Sequence, residues 1–360
     1  MEYKIKIPIA MQIRVDDVAW HEGADQRIMN RPSRSGLPRM HHPQDYVILN
    51  EIGKRINMKI GCSLVLGDWD KDNILRGEPN VTWNPEGWDR ASEIDMEYAE
   101  KCFEMLDGGE YLDYNIHGIC HGYYKDGKIV SERQYNPGDK WLSEEEFEKH
   151  IDLFFKIYNS WGFKKKIESF ACPCGNIGSL EQNEQYFKVL SRKGIKFWSN
   201  GWRDVPGKTA VSHGIIITKS LPNPKPWNAM GMDPDLIDIS MKEGDDDNFL
   251  TEYSSHWTNY VRFNPENNLQ YAEKWANHFL KQAEVFGVML ARDIAFSAAQ
   301  LLYHVYAKTE IVDGKYVIDL TDVDSVDAMG KRNEFYLSIK KDTSVTAIEG
   351  GNISEYETKK

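Results

Sequence analysis

Apolar runs alternate with helix-spaced apolar stripes along most of this chain. Residues 7–15, IPIAMQIRV, are almost continuously apolar and predict a buried strand. After a loop rich in Arg, Pro and His, residues 43–57 (PQDYVILNEIGKRIN) carry helical spacing, with Pro43 suited to a first turn. The pair then repeats as a strand over 58–67, a helix from Asp95 to Leu106 closed by Gly108 and Gly109, and a strand over 111–117. Residues 142–162 predict the clearest helix. Ser143 and Glu146 have capping-box spacing, Leu153, Phe154, Ile157 and Tyr158 form one stripe, and Gly162 ends it. A strand over 166–173, a helix over 180–194 capped by Ser179, and a strand over 195–199 follow. Residues 214–219 and 248–255 are the sixth and seventh strand candidates, and helices are expected over Pro265–Phe286 and Ala291–Ala307.

Strands alternating with helices imply parallel strands joined by helical crossovers, an α/β chain. Seven or eight such units predict a closed or nearly closed (β/α) barrel over residues 1–311. An open doubly wound sheet is the alternative, but no Gly-x-Gly-x-x-Gly follows the first strand. From residue 312 the pattern changes to short runs separated by turn residues (KYVIDLTDV, EFYLSIKK, TSVTAIEGG). Residues 312–360 are therefore expected to form a small β-rich appendage covering the barrel.

Composition narrows the function. The 360 residues suffice for one large barrel, and the net charge of −12 repels phosphate backbones, which argues against nucleic acid as a partner. No apolar run approaches the ~18 residues that a membrane span needs. The first residues lack an export pattern, so a cytoplasmic location is expected. Five cysteines in a chain this long predict thiols rather than a disulfide framework. Nothing in the sequence specifies an oligomeric state.

In barrels of this type, chemistry collects where strands end and loops begin. The first strand ends in Asp16 and Asp17, the third in His117 with His121 four residues on, and the fourth in CPCGN. NGWRD follows the fifth, and His256 with Trp257 follows the seventh. Two adjacent carboxylates repel each other, and a cation shared with nearby imidazoles removes that cost. The plain alternative is that one aspartate caps a turn and the other is solvated. A single turn starting at Gly118 would bring His121 back beside His117, and two imidazoles with a carboxylate are a catalytic metal set. Trp20, Trp69, Trp202 and Trp257 each follow a strand and could stack on sugar rings, or simply pack the core. His41 and His42 read as loop residues and His213 as a distant pocket candidate. His150, His278 and His304 read as ordinary helix positions.

RVDD and HGICH, so placed, resemble the first two motifs of the polysaccharide deacetylases, the chitooligosaccharide-deacetylase homology family (carbohydrate esterase family four). The resemblance spans about residues 7–305. It implies a distorted (β/α)7-8 barrel and a metal-dependent hydrolase that removes acetyl groups from N- or O-acetylated carbohydrate. It implies Asp17, His117 and His121 as ligands of a divalent metal, zinc first, and Asp16 as general base. FACPCGN stands at the third motif, which implies the Cys174 N–H as an oxyanion donor, and His256 as the acid. Asp204 in NGWRD would orient His256. The chain departs from the family pattern at Gly118, where Ser or Thr is usual, and at Ala171, where an arginine positions the base. Arg14 and Arg203 are the candidates to replace that arginine.

Two rival functions remain. A glycoside hydrolase would use paired carboxylates, with Asp16 and Glu252 as the pair, and would leave both histidines unexplained. A degenerate barrel could instead bind saccharide through its tryptophans without turnover.

Overall fold

The computed structural model describes residues 5–19, 37–132, 142–173, 180–200, 210–221, 229–238, 251–339 and 349–352. Seven parallel strands organise it: β1 (Ala10–Ala19), β2 (Ile60–Val65), β3 (Leu112–Ile116), β4 (Ser169–Ala171), β5 (Phe197–Asn200), β6 (Ile215–Leu221) and β7 (Glu252–His256). Each pairs in parallel with the next in chain order. β7 also pairs in parallel with β1, from Glu252 opposite Gln12 to His256 opposite Asp16. The path of pairings therefore returns to its starting strand. The short strand Met289–Leu290 adds to β1 at Ala10 and Met11. The molecule is thus mixed α/β with a parallel central sheet, as the alternation predicts.

The helices follow their sequence signals. α1 (Pro43–Ile56) starts at a capping box in which His42 accepts from Gln44 N–H and Asp45 accepts from His42 N–H. α2 (Met96–Asp107) is capped by Asp95, and α3 (Glu144–Trp161) by the expected Ser143–Glu146 box, with Gly162 left-handed at its end. α4 (Glu184–Arg192), α5 (Ala272–Phe286) and α6 (Ile294–Tyr306) begin later than the periodicity predicts. A 3-10 turn precedes each of α4 and α5, and Met289–Leu290 is drawn into the sheet ahead of α6. Apolar spacing marks which residues face the core, but an entry turn that buries the same face has the same spacing.

All ten residues of β1 are buried, yet its two faces differ. Met11, Ile13 and Val15 belong to the hydrophobic core, while Gln12, Arg14 and Asp16 alternate with them. Ser199 on β5 donates to Glu252 on β7 across one intervening strand. That contact requires both side chains to point into the space that the strands enclose. Asn115 on β3 likewise donates to Ser63 on β2 and accepts from Ser169 on β4. Polar groups lining this interior thus satisfy one another, as burial demands.

Beyond α6, Lys308–Val312 and Lys315–Asp319 form an antiparallel hairpin that starts ahead of residue 312. Thr321–Ser325, which overlaps the end of the expected KYVIDLTDV strand, is helical. Ser338–Ile339 pairs antiparallel with Ile5–Lys6, the first described residues. TSVTAIEGG lies mostly outside the described residues. No helix among the described residues is long and apolar enough to cross a membrane.

Candidate metal centre

The Asp16–Asp17 pair sits on a break in the β1 ladder. Val15 lies opposite Cys62 and Val18 opposite Leu64, so two residues of β1 face one of β2. This is a β-bulge, and Asp17 takes the left-handed conformation (φ 62°). The bulge re-aims Asp17 while Asp16 keeps its register opposite His256. Asp17 Oδ1 lies 3.4 Å from His117 Nε2 and 3.2 Å from His121 Nε2, and Asp17 Oδ2 lies 3.8 Å from His256 Nε2. Asp17 and His117 are buried and His121 is partly so.

These three residues bring one ligand atom each to within 4.8 Å of one another, the only such group of three among the described residues, and can hold a metal ion. Two further observations fit a cation. His117 Nδ1 lies 2.8 Å from the Ala171 carbonyl, which only accepts, so Nδ1 carries the hydrogen and Nε2 of the neutral ring faces Asp17 with a lone pair. Asp17 Oδ1 is buried and lacks a hydrogen-bond partner, although it faces two imidazoles. A lone pair facing a carboxylate oxygen repels it unless positive charge lies between them. Burial works to raise the Asp17 pKa, but positive charge on His121, hydrogen bonding from His117 and His121 and positive charge on His256 more than offset it when those rings are protonated, so that cationic charge at this point holds the carboxyl well below the usual carboxylate range. Burial keeps His256 below its ordinary pKa despite the attraction of Asp17 and Asp16, which favours the neutral ring.

Behind Asp16 lies an interior charge network. Arg14 donates from Nη1 to Asp16 at 2.8 Å and from Nε to Glu252 at 2.7 Å. Gln12 and Ser199 also donate to Glu252. Of the two arginines that could stand in for the one absent at Ala171, Arg14 thus touches Asp16. Arg203 lies outside the described residues. Glu252 is fully buried among these donors, which leaves the Asp16–Glu252 pair expected of a glycosidase without an accessible second carboxylate.

The tryptophan expectation divides. Trp69 and Trp257 are buried around His41, whose ring meets both edge-on, so neither offers an open face for stacking. Trp257 folds back onto α1, where its Nε1 donates to the Asp45 carbonyl. Trp20, Trp202, Cys174 and Asp204 lie outside the described residues. His41 lies in the loop ahead of α1, as expected, but its side chain is fully buried, and His213 is exposed at the turn leading into β6, at the opposite end of the strand from the site. Missed altogether was Glu132, buried beside the His117–His121 loop and paired with His150 at 2.9 Å. Asp126-Gly127, a hairpin turn signal that starts ten residues after Ile116, could have revealed it.

No protein-family model and no curated protein sequence matches the chain. A crystal structure from Mycobacterium smegmatis, provisionally described as a polysaccharide deacetylase, aligns with 69% of this chain and 74% of its own. The identity is 11% and the TM-score 0.38.

Proposed function

We propose that the chain is a metal-dependent hydrolase that removes acetyl groups from N- or O-acetylated carbohydrate, on a distorted (β/α) barrel. The observation that carries this reading is the convergence of Asp17 with His117 and His121, with Asp16 and His256 at its edge. The closed path of strand pairings supports the barrel. The RVDD and HGICH motifs supply the acetylated-sugar class. Asp17, His117 and His121 would hold a divalent cation, zinc first on its preference for such N and O ligands. When bound, it supplies Lewis acidity toward an acyl carbonyl and toward water.

The chain's own groups do the rest. Asp16 takes a proton from the attacking water, and Arg14 holds that carboxylate in place at 2.8 Å. The bond from Nδ1 to the Ala171 carbonyl keeps His117 in one tautomer and one orientation. His256 passes a proton to the departing amine or alcohol from its protonated form, which the neighbouring Asp16 and Asp17 carboxylates favour against the effect of burial. The third-motif resemblance assigns the Cys174 N–H to stabilising negative charge on the acyl oxygen, and the sequence offers Trp20 and Trp202 for stacking on the sugar.

The test is metal analysis and acetate release from N- and O-acetylated saccharides, on the parent chain and His121→Ala. The expected outcome is a metal-loaded, chelator-sensitive parent and a variant that loses both metal and turnover. Acetate release that survives chelation, or full metal content in the variant, overturns the assignment. A metal-loaded parent that binds saccharide without releasing acetate favours the sugar-binding alternative.

A further inference from the structure

We infer that Glu132 is a positioning residue for His121, acting through the backbone of the loop that carries it. This rests on reading Asp17, His117 and His121 as a metal site. Three successive amides, of Ile119, Cys120 and His121, donate to the Glu132 carboxylate at 2.8–2.9 Å. Converging backbone N–H groups of this kind form a nest that holds an anion. Here the anion is the chain's own, and it shapes the loop. The loop needs such a template because Gly118 (φ 90°) and His121 (φ 60°) both lie in the left-handed region, which a histidine adopts only when its surroundings impose it.

The chain delivers Glu132 by a short hairpin. Gly122–Lys125 leaves directly from His121, turns at Asp126-Gly127, and returns as Lys128–Ser131. Glu132 N–H then donates to the His121 carbonyl at 3.1 Å, closing the loop on itself. His150 on α3 holds the carboxylate from behind: Nδ1 meets Glu132 Oε1 at 2.9 Å and Nε2 meets the Asn80 carbonyl at 2.8 Å. Glu132 and His150 are both buried, against an apolar wall that includes Leu142, Phe147, Phe154 and Phe170. Such surroundings strengthen hydrogen bonds that are made and penalise any left unmade. The same contact accounts for glycine at 118, where a Cβ would lie 2.9 Å from Glu132 Oε2.

A carboxylate that merely stabilised the fold would leave the geometry of a bound ion unchanged. The test is therefore Co2+ titration of the full chain, following affinity and ligand-field absorption, for the parent, Glu132→Gln and His150→Gln, with folding checked by circular dichroism. Glu132→Gln keeps the side chain's shape but turns an amide NH2 toward backbone donors. It should stay folded, bind Co2+ about 10–100-fold more weakly and show an altered absorption band. His150→Gln should lower affinity in the same direction. A folded Glu132→Gln with the parent's affinity and spectrum overturns the inference and leaves the metal site standing. If Glu132→Gln does not fold, His150→Gln decides by the same criterion. A parent that takes up no Co2+ removes the metal-site reading and this inference together.

Discussion

Arg14→Met tests whether the interior charge network sets the shape of the site. Arg14 is buried, with its guanidinium 2.8 Å from Asp16 and 2.7 Å from Glu252. With charge centres ~4 Å apart and an effective dielectric of ~20, each pair contributes about 4 kcal/mol before desolvation. Removing the arginine leaves the buried Glu252 carboxyl with Gln12 and Ser199 as its side-chain donors among the described residues. Breaking a buried pair in this way typically costs about 3–5 kcal/mol, because the surviving charge is uncompensated. An unfolding entropy of ~2.1 cal/mol/K per residue over 360 residues is about 0.76 kcal/mol/K, so the loss corresponds to a drop in Tm of about 5 °C. Thermal unfolding followed by circular dichroism reads this directly. Arg14→Met/Glu252→Gln should recover a good part of the drop, since the orphaned charge is gone and the amide still bonds to Gln12 and Ser199. A single variant within about 1 °C of the parent, or a double variant less stable than the single, would refute the account.

Gly118→Ala meets both a left-handed backbone and the Glu132 carboxylate, and should cost about 1–3 kcal/mol in denaturant unfolding. Gly127→Ala, left-handed but with open space around its Cβ, should cost less; equal losses would mean that the Glu132 contact is not limiting. Added Zn2+ at ~100 times its Kd should stabilise the parent by about 2.7 kcal/mol, and Asp17→Asn should abolish most of that shift in a thermal melt. His278 gives the pH dependence. Burial pushes it down to about 4 from 6.5, so the folded state binds its proton more weakly than the unfolded chain. Above pH 6.5 the group is neutral in both states. As pH falls from 6.5 through 4, stability should drop by up to about 3 kcal/mol. His278→Gln should flatten that part of the urea-unfolding profile, and an unchanged slope would place the dependence elsewhere.

Much of the candidate site was legible because its signals are local. Asp16 and Asp17 end an apolar run, and His117 ends another, so strand prediction alone puts them on one rim. The bulge was not legible, since it exists only in the register between β1 and β2. Glu252 illustrates the opposite failure. As a lone acid near a strand it resembled a catalytic carboxylate, and only the contacts of Gln12, Arg14 and Ser199 from other strands identify it as a buried anchor. Trp69 and Trp257 illustrate the same limit: following a strand says nothing about whether a ring turns outward or, as here, packs inward around His41.

By itself the sequence determined the alternation of strand and helix, the first turn of α1 at Pro43, the cap of α3, and the side chains available at the strand ends. These depend on the covalent chain and on neighbours a few residues away. Tertiary structure alone decided which face of β1 carries Arg14 into the interior, how Asp17 turns toward two imidazoles, and that Glu132 reaches the amides preceding it. Those outcomes depend on pairings between distant segments, whose energies are set by burial and mutual charge rather than by local propensity.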